Sequence, residues 1–234
     1  MKNKSVLITG SSRGLGASLA EVFSKNNYDI ILHGRDLVSL QKTKDKILAN
    51  GCKCLIVQGN ISQIETIETL ADVASREQIS ILINNAAVDD EREFNEMHLT
   101  EINTILETNL FYPIKLTHLI YPLFVKKGCG TIININAMDG LRNIRGKVAY
   151  TASKQGLKGF TDSLRYEAKR KGIRVIGVYL GGMQTDMYYS TGREIEKAMP
   201  TLEVARIIFN AYSSSSSGVN SAGVDDITID RTKV

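Results

Sequence analysis

Thr9-Gly10-Ser11-Ser12-Arg13-Gly14-Leu15-Gly16 follows directly on the apolar run Val6-Leu7-Ile8 and opens an amphipathic segment, Gly14–Asn26. Glycines in such a turn let the backbone double back sharply and approach a pyrophosphate. The helix behind them contributes free N–H groups and the positive end of its dipole. A glycine triplet alone says little; between a strand and a helix it reads as a dinucleotide-binding turn rather than a packing turn. Gly10, Ser12, Arg13, Gly14, Leu15 and Gly16 are therefore cofactor-binding candidates.

Outward from the turn, short apolar runs alternate with longer amphipathic stretches, the pattern of βαβ units on a parallel sheet. Strands are expected at Ser5–Thr9, Tyr28–His33, Cys52–Gln58, Ile79–Asn84, Thr131–Asn136, Ile173–Leu180 and Asp226–Ile229. Helices are expected at Gly14–Asn26, Leu37–Ala49, Ser62–Arg76, Thr100–Lys126, Val148–Lys171 and Thr201–Tyr212. Continuously apolar runs such as Ile81-Leu82-Ile83 suit strands covered on both faces. The expected fold is α/β, a single doubly wound Rossmann-type domain over residues 1–234, with about seven strands and helices on both faces. Met183–Pro200 is the longest irregular segment; beyond the C-terminal end of a strand, it is the expected substrate loop. Its Tyr188, Tyr189, Arg193 and Glu194 form no recognisable binding signature, and the serine run Ser213–Ser217 reads as a turn.

The apolar and charged fractions, 43% and 23%, are those of an ordinary globular chain. A net charge of +4 spread along the sequence lacks the clustered basic stripe of a nucleic-acid binder. Cys52, Cys54 and Cys129 have no metal-ligand spacing and read as packing residues, so neither a disulfide nor a metal site is expected. No apolar run approaches the roughly 18 residues of a membrane span. Val6–Ile8 reads as a strand rather than a leader, and a cytoplasmic protein is expected.

The second strand ends at His33-Gly34-Arg35. An acidic side chain there would hold a ribose 2′-OH, whereas an arginine accommodates a 2′-phosphate. Gly34 brings no carboxylate, while Arg35 and Arg13 bring guanidiniums suited to phosphate. Asp36 comes one step late and reads as the N-cap of the next helix. NADP(H) is expected, with NAD(H) as the second option; His33 reads as a packing residue at the strand end. Further on, Tyr150-Thr151-Ala152-Ser153-Lys154 sets a phenol and an ammonium on one helix face. A cation beside a phenol of ordinary pKa ~10 stabilises phenolate and lets the pair exchange a proton near neutrality.

Taken in order, these residues resemble the short-chain dehydrogenases/reductases in their single-domain form. The resemblance spans nearly the whole chain: the Thr-Gly-x-x-x-Gly-x-Gly turn at Thr9–Gly16, Asn84-Asn85-Ala86-Ala87, Asn109, Tyr150 with Lys154, and Thr185-Asp186. It implies hydride transfer between a carbonyl and an alcohol, with Tyr150 as proton donor or acceptor. Lys154 would hold the nicotinamide ribose and lower the phenol pKa, and Asn109 would support a water-linked relay. Asn84 and Ala86 would line the adenosine and ribose, Thr185 would meet the carboxamide, and Asn60 would stand where the family has an aspartate against adenine. The family also implies dimers or tetramers built through Thr100–Lys126 and Val148–Lys171.

One departure bears on turnover. The family's catalytic serine lies thirteen residues before the tyrosine, and here that position is Ala137. A comparable donor elsewhere contributes a few kcal/mol to the transition state. Asn136, one residue earlier, points to the other face of an ideal strand and would serve only where the strand has broken. Ala87 and Leu180 replace a glycine and a proline with less consequence. Two readings follow: an oxidoreductase working through Tyr150, or a nucleotide-binding protein of this fold with weak or no turnover and a sensing or assembly role. An epimerase or dehydratase of the extended branch would need a further substrate domain. Arg142 and Arg145 are either solvated or placed for an anionic substrate such as a sugar nucleotide or acyl thioester.

Overall fold

The computed structural model describes residues 4–143, 145–189, 198–214 and 225–230. Its strands are β1 (Lys4–Ile8), β2 (Tyr28–Gly34), β3 (Cys54–Gln58), β4 (Ile81–Asn84), β5 (Gly130–Ala137), β6 (Ile173–Leu180) and β7 (Asp226–Ile229). They form one sheet in the order β3-β2-β1-β4-β5-β6-β7, every neighbouring pair parallel. The helices are α1 (Gly14–Lys25), α2 (Leu37–Ala49), α3 (Ile64–Glu77), α4 (Leu99–Leu106), α5 (Tyr112–Lys127), α6 (Val148–Ala168), α7 (Asp186–Tyr189) and α8 (Thr201–Ser214).

Alternation along each strand divides the core. Val6, Ile8, Ile30 and Leu32 face one way and meet Leu19 and Phe23 of α1, Leu40 and Ile47 of α2, and Val204 and Ile208 of α8. Leu7, Ile31, Leu82 and Ile132 face the other way, onto Ile67 and Leu70 of α3 and Leu116, Ile120 and Phe124 of α5. The expected α/β architecture is therefore the observed one. Strand order reverses between β1 and β4, and in an open α/β sheet the crevice beyond the C-terminal ends of two such strands is where ligands bind.

Several boundaries differ from expectation. β3 begins at Cys54, so Cys52 precedes the strand; both thiols are nevertheless buried. The single helix expected over Thr100–Lys126 is two, α4 and α5, joined by a π-helical turn at Glu107–Phe111. Within this turn the Asn109 amide pairs with the backbone of Val88, accepting from its N–H and donating to its carbonyl, both at 2.8 Å. α6 closes at Ala168 through a 3-10 turn, Lys169–Lys171. Within the expected substrate loop, α7 forms at Asp186–Tyr189 and Met183 bridges Met199; Arg193 and Glu194 lie outside the described residues. Among the described residues, no helix is long and apolar enough to cross a membrane.

Candidate active site

The turn after β1 is held open by its neighbours. Thr9 Oγ1 accepts from the backbone N–H groups of Asn85 (2.9 Å) and Ala86 (3.2 Å) and shares a hydrogen bond with the buried hydroxyl of Tyr112. The Asn85 amide donates to the carbonyls of Thr9 (2.9 Å) and Gly10 (3.0 Å). Gly10 adopts φ +63°, and a Cβ at Gly16 would lie 2.2 Å from the Gly10 carbonyl oxygen. Side chains are excluded there by backbone, which leaves the α1 N-terminus bare toward the cleft, as a pyrophosphate requires.

That cleft, about 710 Å³, runs from the glycine turn to the catalytic candidates. Gly10, Ser12, Arg13, Gly14, Leu15, Gly16, Arg35, Asn60, Ala86 and Thr185 line it, together with Asn136, Ala137, Tyr150 and Lys154. Gly34 also faces it, and Asp36 caps α2 as expected by accepting from the backbones of Val38 and Ser39. Arg13 is ion-paired through Nε to Asp186 (3.0 Å) at the head of α7, which links the glycine turn to the segment that follows β6. Thr185 packs its methyl near Gly14.

Two expected site residues turn elsewhere. The Asn84 amide donates to Thr117 (3.1 Å) and Asn134 (2.8 Å), inside the core and away from the cleft wall. Asn134 in turn donates to Thr161 (2.9 Å), so Asn84 belongs to a buried polar ladder joining α5, β4, β5 and α6. Asn136 donates to the Lys154 carbonyl (3.0 Å) and accepts from the Ala137 N–H (2.8 Å). β5 continues through Ala137, so the break that would free Asn136 for a substrate does not occur; its amide braces α6 instead.

Tyr150 and Lys154 are both buried at the C-terminal end of β5, with the Lys154 ammonium 5.5 Å from the Tyr150 ring centre and donating to the Ile135 carbonyl (3.3 Å). Asn109 donates to Ser153 Oγ (3.2 Å), which itself donates to the Tyr150 carbonyl (2.6 Å), tying the π-helical turn to α6. Sequence reading passed over two neighbours. One is Ser153, inside the Tyr-x-x-x-Lys segment. The other is Lys147, whose ammonium sits 5.0 Å from the Tyr150 ring centre and pairs with Asp89 and with Glu91 (2.8 Å).

The electrostatics differ from a simple tyrosine–lysine pair. Burial, reinforced by Asp89 and by Asp139 when it is ionised, pushes the Tyr150 phenol well above its ordinary range, so the expectation that Lys154 lowers it is not met in the chain alone. Burial also lowers Lys154 to about 8, against the opposing pull of Asp89 and Asp139. Burial opposes the charge on Lys147, but its bonds to Asp89 and Glu91 outweigh that and raise its pKa. Tyr150 therefore keeps its proton over a wide pH range.

A family model described as short chain dehydrogenase matches residues 4–196. The chain belongs to the short-chain dehydrogenases. A ketoacyl reductase of Nostoc sp. is 31% identical over 82% of this chain and 68% of its own length. A 3-oxoacyl-[acyl-carrier-protein] reductase of Salmonella typhimurium is 32% identical over 80% and 76%. Among solved structures, a metagenomic short-chain oxidoreductase in complex with NADP covers 98% of both chains at 24% identity and TM-score 0.84. Actinorhodin polyketide ketoreductase with NADPH reaches TM-score 0.88 at 22% identity, over 97% of this chain and 95% of that one. At these identities the structural likeness bears on fold. It agrees with the short-chain dehydrogenase assignment carried by the family model.

Proposed function

We propose that this short-chain dehydrogenase is an NADP(H)-dependent oxidoreductase that interconverts a carbonyl and an alcohol, with Tyr150 as acid and base. The observation that carries the reading is one cleft in which the bare glycine turn and Arg35 lie at one end and Tyr150 and Lys154 at the other, with Asn109 buried behind them and bonded to Ser153. The nicotinamide, when bound, supplies or takes up the hydride. Gly10–Gly16 would receive the pyrophosphate, Arg13 and Arg35 a 2′-phosphate, and Lys154 the ribose beside the ring. In reduction Tyr150 gives its proton to the substrate oxygen, and the Lys154 ammonium offsets the charge left on the phenolate. Asn109 holds the loop at Val88 through both atoms of its amide, which keeps the floor of the site in place.

Loss of NADPH absorbance across a carbonyl panel tests the reading directly. The relatives named as ketoacyl reductases make β-keto thioesters the first members of that panel. Arg142 and Arg145, considered for an anionic substrate, lie 3.8 Å from Asp230 and 3.9 Å from Glu93, and Arg145 is almost wholly exposed. For the cofactor, Arg35→Ala is expected to raise the Kd of NADPH by roughly tenfold or more, one charge-assisted contact being worth about 1.5–3 kcal/mol, and to leave NADH little changed. Equal losses for the two cofactors would remove the 2′-phosphate assignment.

The pH profile follows from Lys154, whose pKa is lowered to about 8. Its charged form is the useful one, so kcat/KM for reduction is expected to hold on the acid side and fall as pH rises through that region. A profile flat well into the alkaline range would separate Lys154 from the proton transfer. Ala137 favours the second reading, a cofactor-binding protein without turnover, which predicts NADPH binding with no oxidation by any panel member. Association through α5 and α6 belongs to the same proposal: Leu119, Val125 and Tyr166 on those helices are exposed, and sedimentation of the purified chain tests it.

A further inference from the structure

Ala137 leaves the substrate oxygen without the hydroxyl that would accompany Tyr150, and Asn136 is committed to the backbone of Lys154 and Ala137. Two residues past Ala137, in the 3-10 turn Met138–Gly140, Asp139 lines the same cleft as Tyr150 and Lys154. We propose that Asp139 is a catalytic residue, its carboxyl O–H donating a hydrogen bond to the reacting oxygen of the substrate in place of the missing serine.

Asp139 is only 7% exposed, and its Oδ1 is buried without a hydrogen-bond partner. A carboxylate in that position would leave a charged oxygen dry and unpaired, which costs far more than leaving a neutral carbonyl oxygen so. The neutral acid avoids the penalty. It places its C=O at the dry position and leaves its O–H for the other oxygen and the cleft. The surroundings are mixed. Lys147, ahead of α6, the residue's own backbone N–H, and Lys154, on α6, favour the anion; Asp89, from the segment after β4, favours the acid; Tyr150 contributes no charge while it keeps its proton. Arg142 and Asp230, which pair with each other at 3.8 Å, line the same cleft, and β6 presents Leu180 there. Burial dominates and raises the Asp139 pKa. Buried carboxylic acids kept neutral by an apolar site act as oxyanion donors elsewhere.

In the step itself Asp139 keeps its proton. With the hydride that a bound reduced nicotinamide would supply to the carbonyl carbon, Tyr150 gives the proton to the oxygen, and Asp139 only stabilises the charge that builds there. The proposal rests on the oxidoreductase reading, so its test carries a second readout. Asp139→Ala is expected to lower kcat by roughly 10²–10³-fold, as for loss of an oxyanion donor, with NADPH binding retained by fluorescence titration. Asp139→Asn keeps an N–H donor and is expected to lose much less. Adding Ala137→Ser to Asp139→Ala should restore at least about a tenfold share of what an oxyanion donor contributes. A purely structural Asp139 would give Asn and Ala variants alike and no rescue by serine, overturning the proposal.

Infrared spectroscopy of the chain with NADP⁺ and ethyl acetoacetate, a pair that cannot react together, reads the carboxyl without turnover. A protonated-carboxyl band lost in Asp139→Asn and shifted by the ketone supports the proposal. A band that the ketone leaves in place overturns it. Absence of turnover in wild type with that shift present would defeat the oxidoreductase reading alone.

Discussion

Tyr150→Phe is expected to lower turnover by roughly 10²–10⁴-fold, the range for a positioned general acid, while cofactor binding stays close to wild type. The substitution removes one oxygen from a buried ring of α6 and leaves the ring's packing intact, so stability should change little. The ring sits between two ammonium groups, at 5.0 Å from Lys147 and 5.5 Å from Lys154. Lys147 is already committed to two carboxylates, Asp89 and Glu91. Single-turnover measurements with bound NADPH would isolate the hydride step. Residual turnover within about tenfold of wild type, far below the general-acid range, would mean that another group delivers the proton.

Lys147→Met is the largest stability effect expected, a loss of about 3–5 kcal/mol, the usual cost of removing one partner from a buried ion pair. The Lys147 and Asp89 side chains are 8% and 9% exposed, and Glu91 adds a second carboxylate at 2.8 Å. Without the ammonium, both acids face a poorly hydrated wall and each other. Urea unfolding checks this, and Asp89→Asn in the Lys147→Met background should recover part of the loss. A loss under about 1 kcal/mol would equate the cluster with a surface pair screened by water. The same substitution should push the Tyr150 phenol higher still, because Asp89 already acts on it from nearby and would lose its compensating charge.

The sheet was legible because its signals are local: alternation, apolar runs and glycines read directly as strands, helices and turns. The glycine-turn end of the cleft was legible for the same reason, since Thr9–Gly16 is one contiguous segment. The end at Tyr150 was less so. Tyr150 and Lys154 share a helix face and announce themselves, but Lys147 and Asp89 are 58 residues apart and meet only through the fold. Side-chain direction was the other obstacle. Asn84 and Asn136 occupy positions suited to a site, yet one joins a ladder inside the sheet and the other braces α6. Asp139 carried no motif; what distinguishes it is a buried oxygen without a partner, visible only in three dimensions.

The π-helical turn at Glu107–Phe111 limits how this chain can change in length. Deleting one residue ahead of Asn109 would heal the turn into regular α-helix, a locally favourable outcome, but would swing every later side chain by about 100° around the axis. Asn109 would then leave Val88, and the floor beneath Tyr150 would lose its brace. Drift by point substitution is open to α4 and α5, whereas single-residue insertions and deletions between them are closed. The irregular turn thus acts as a length standard, keeping the two halves of the cleft in phase.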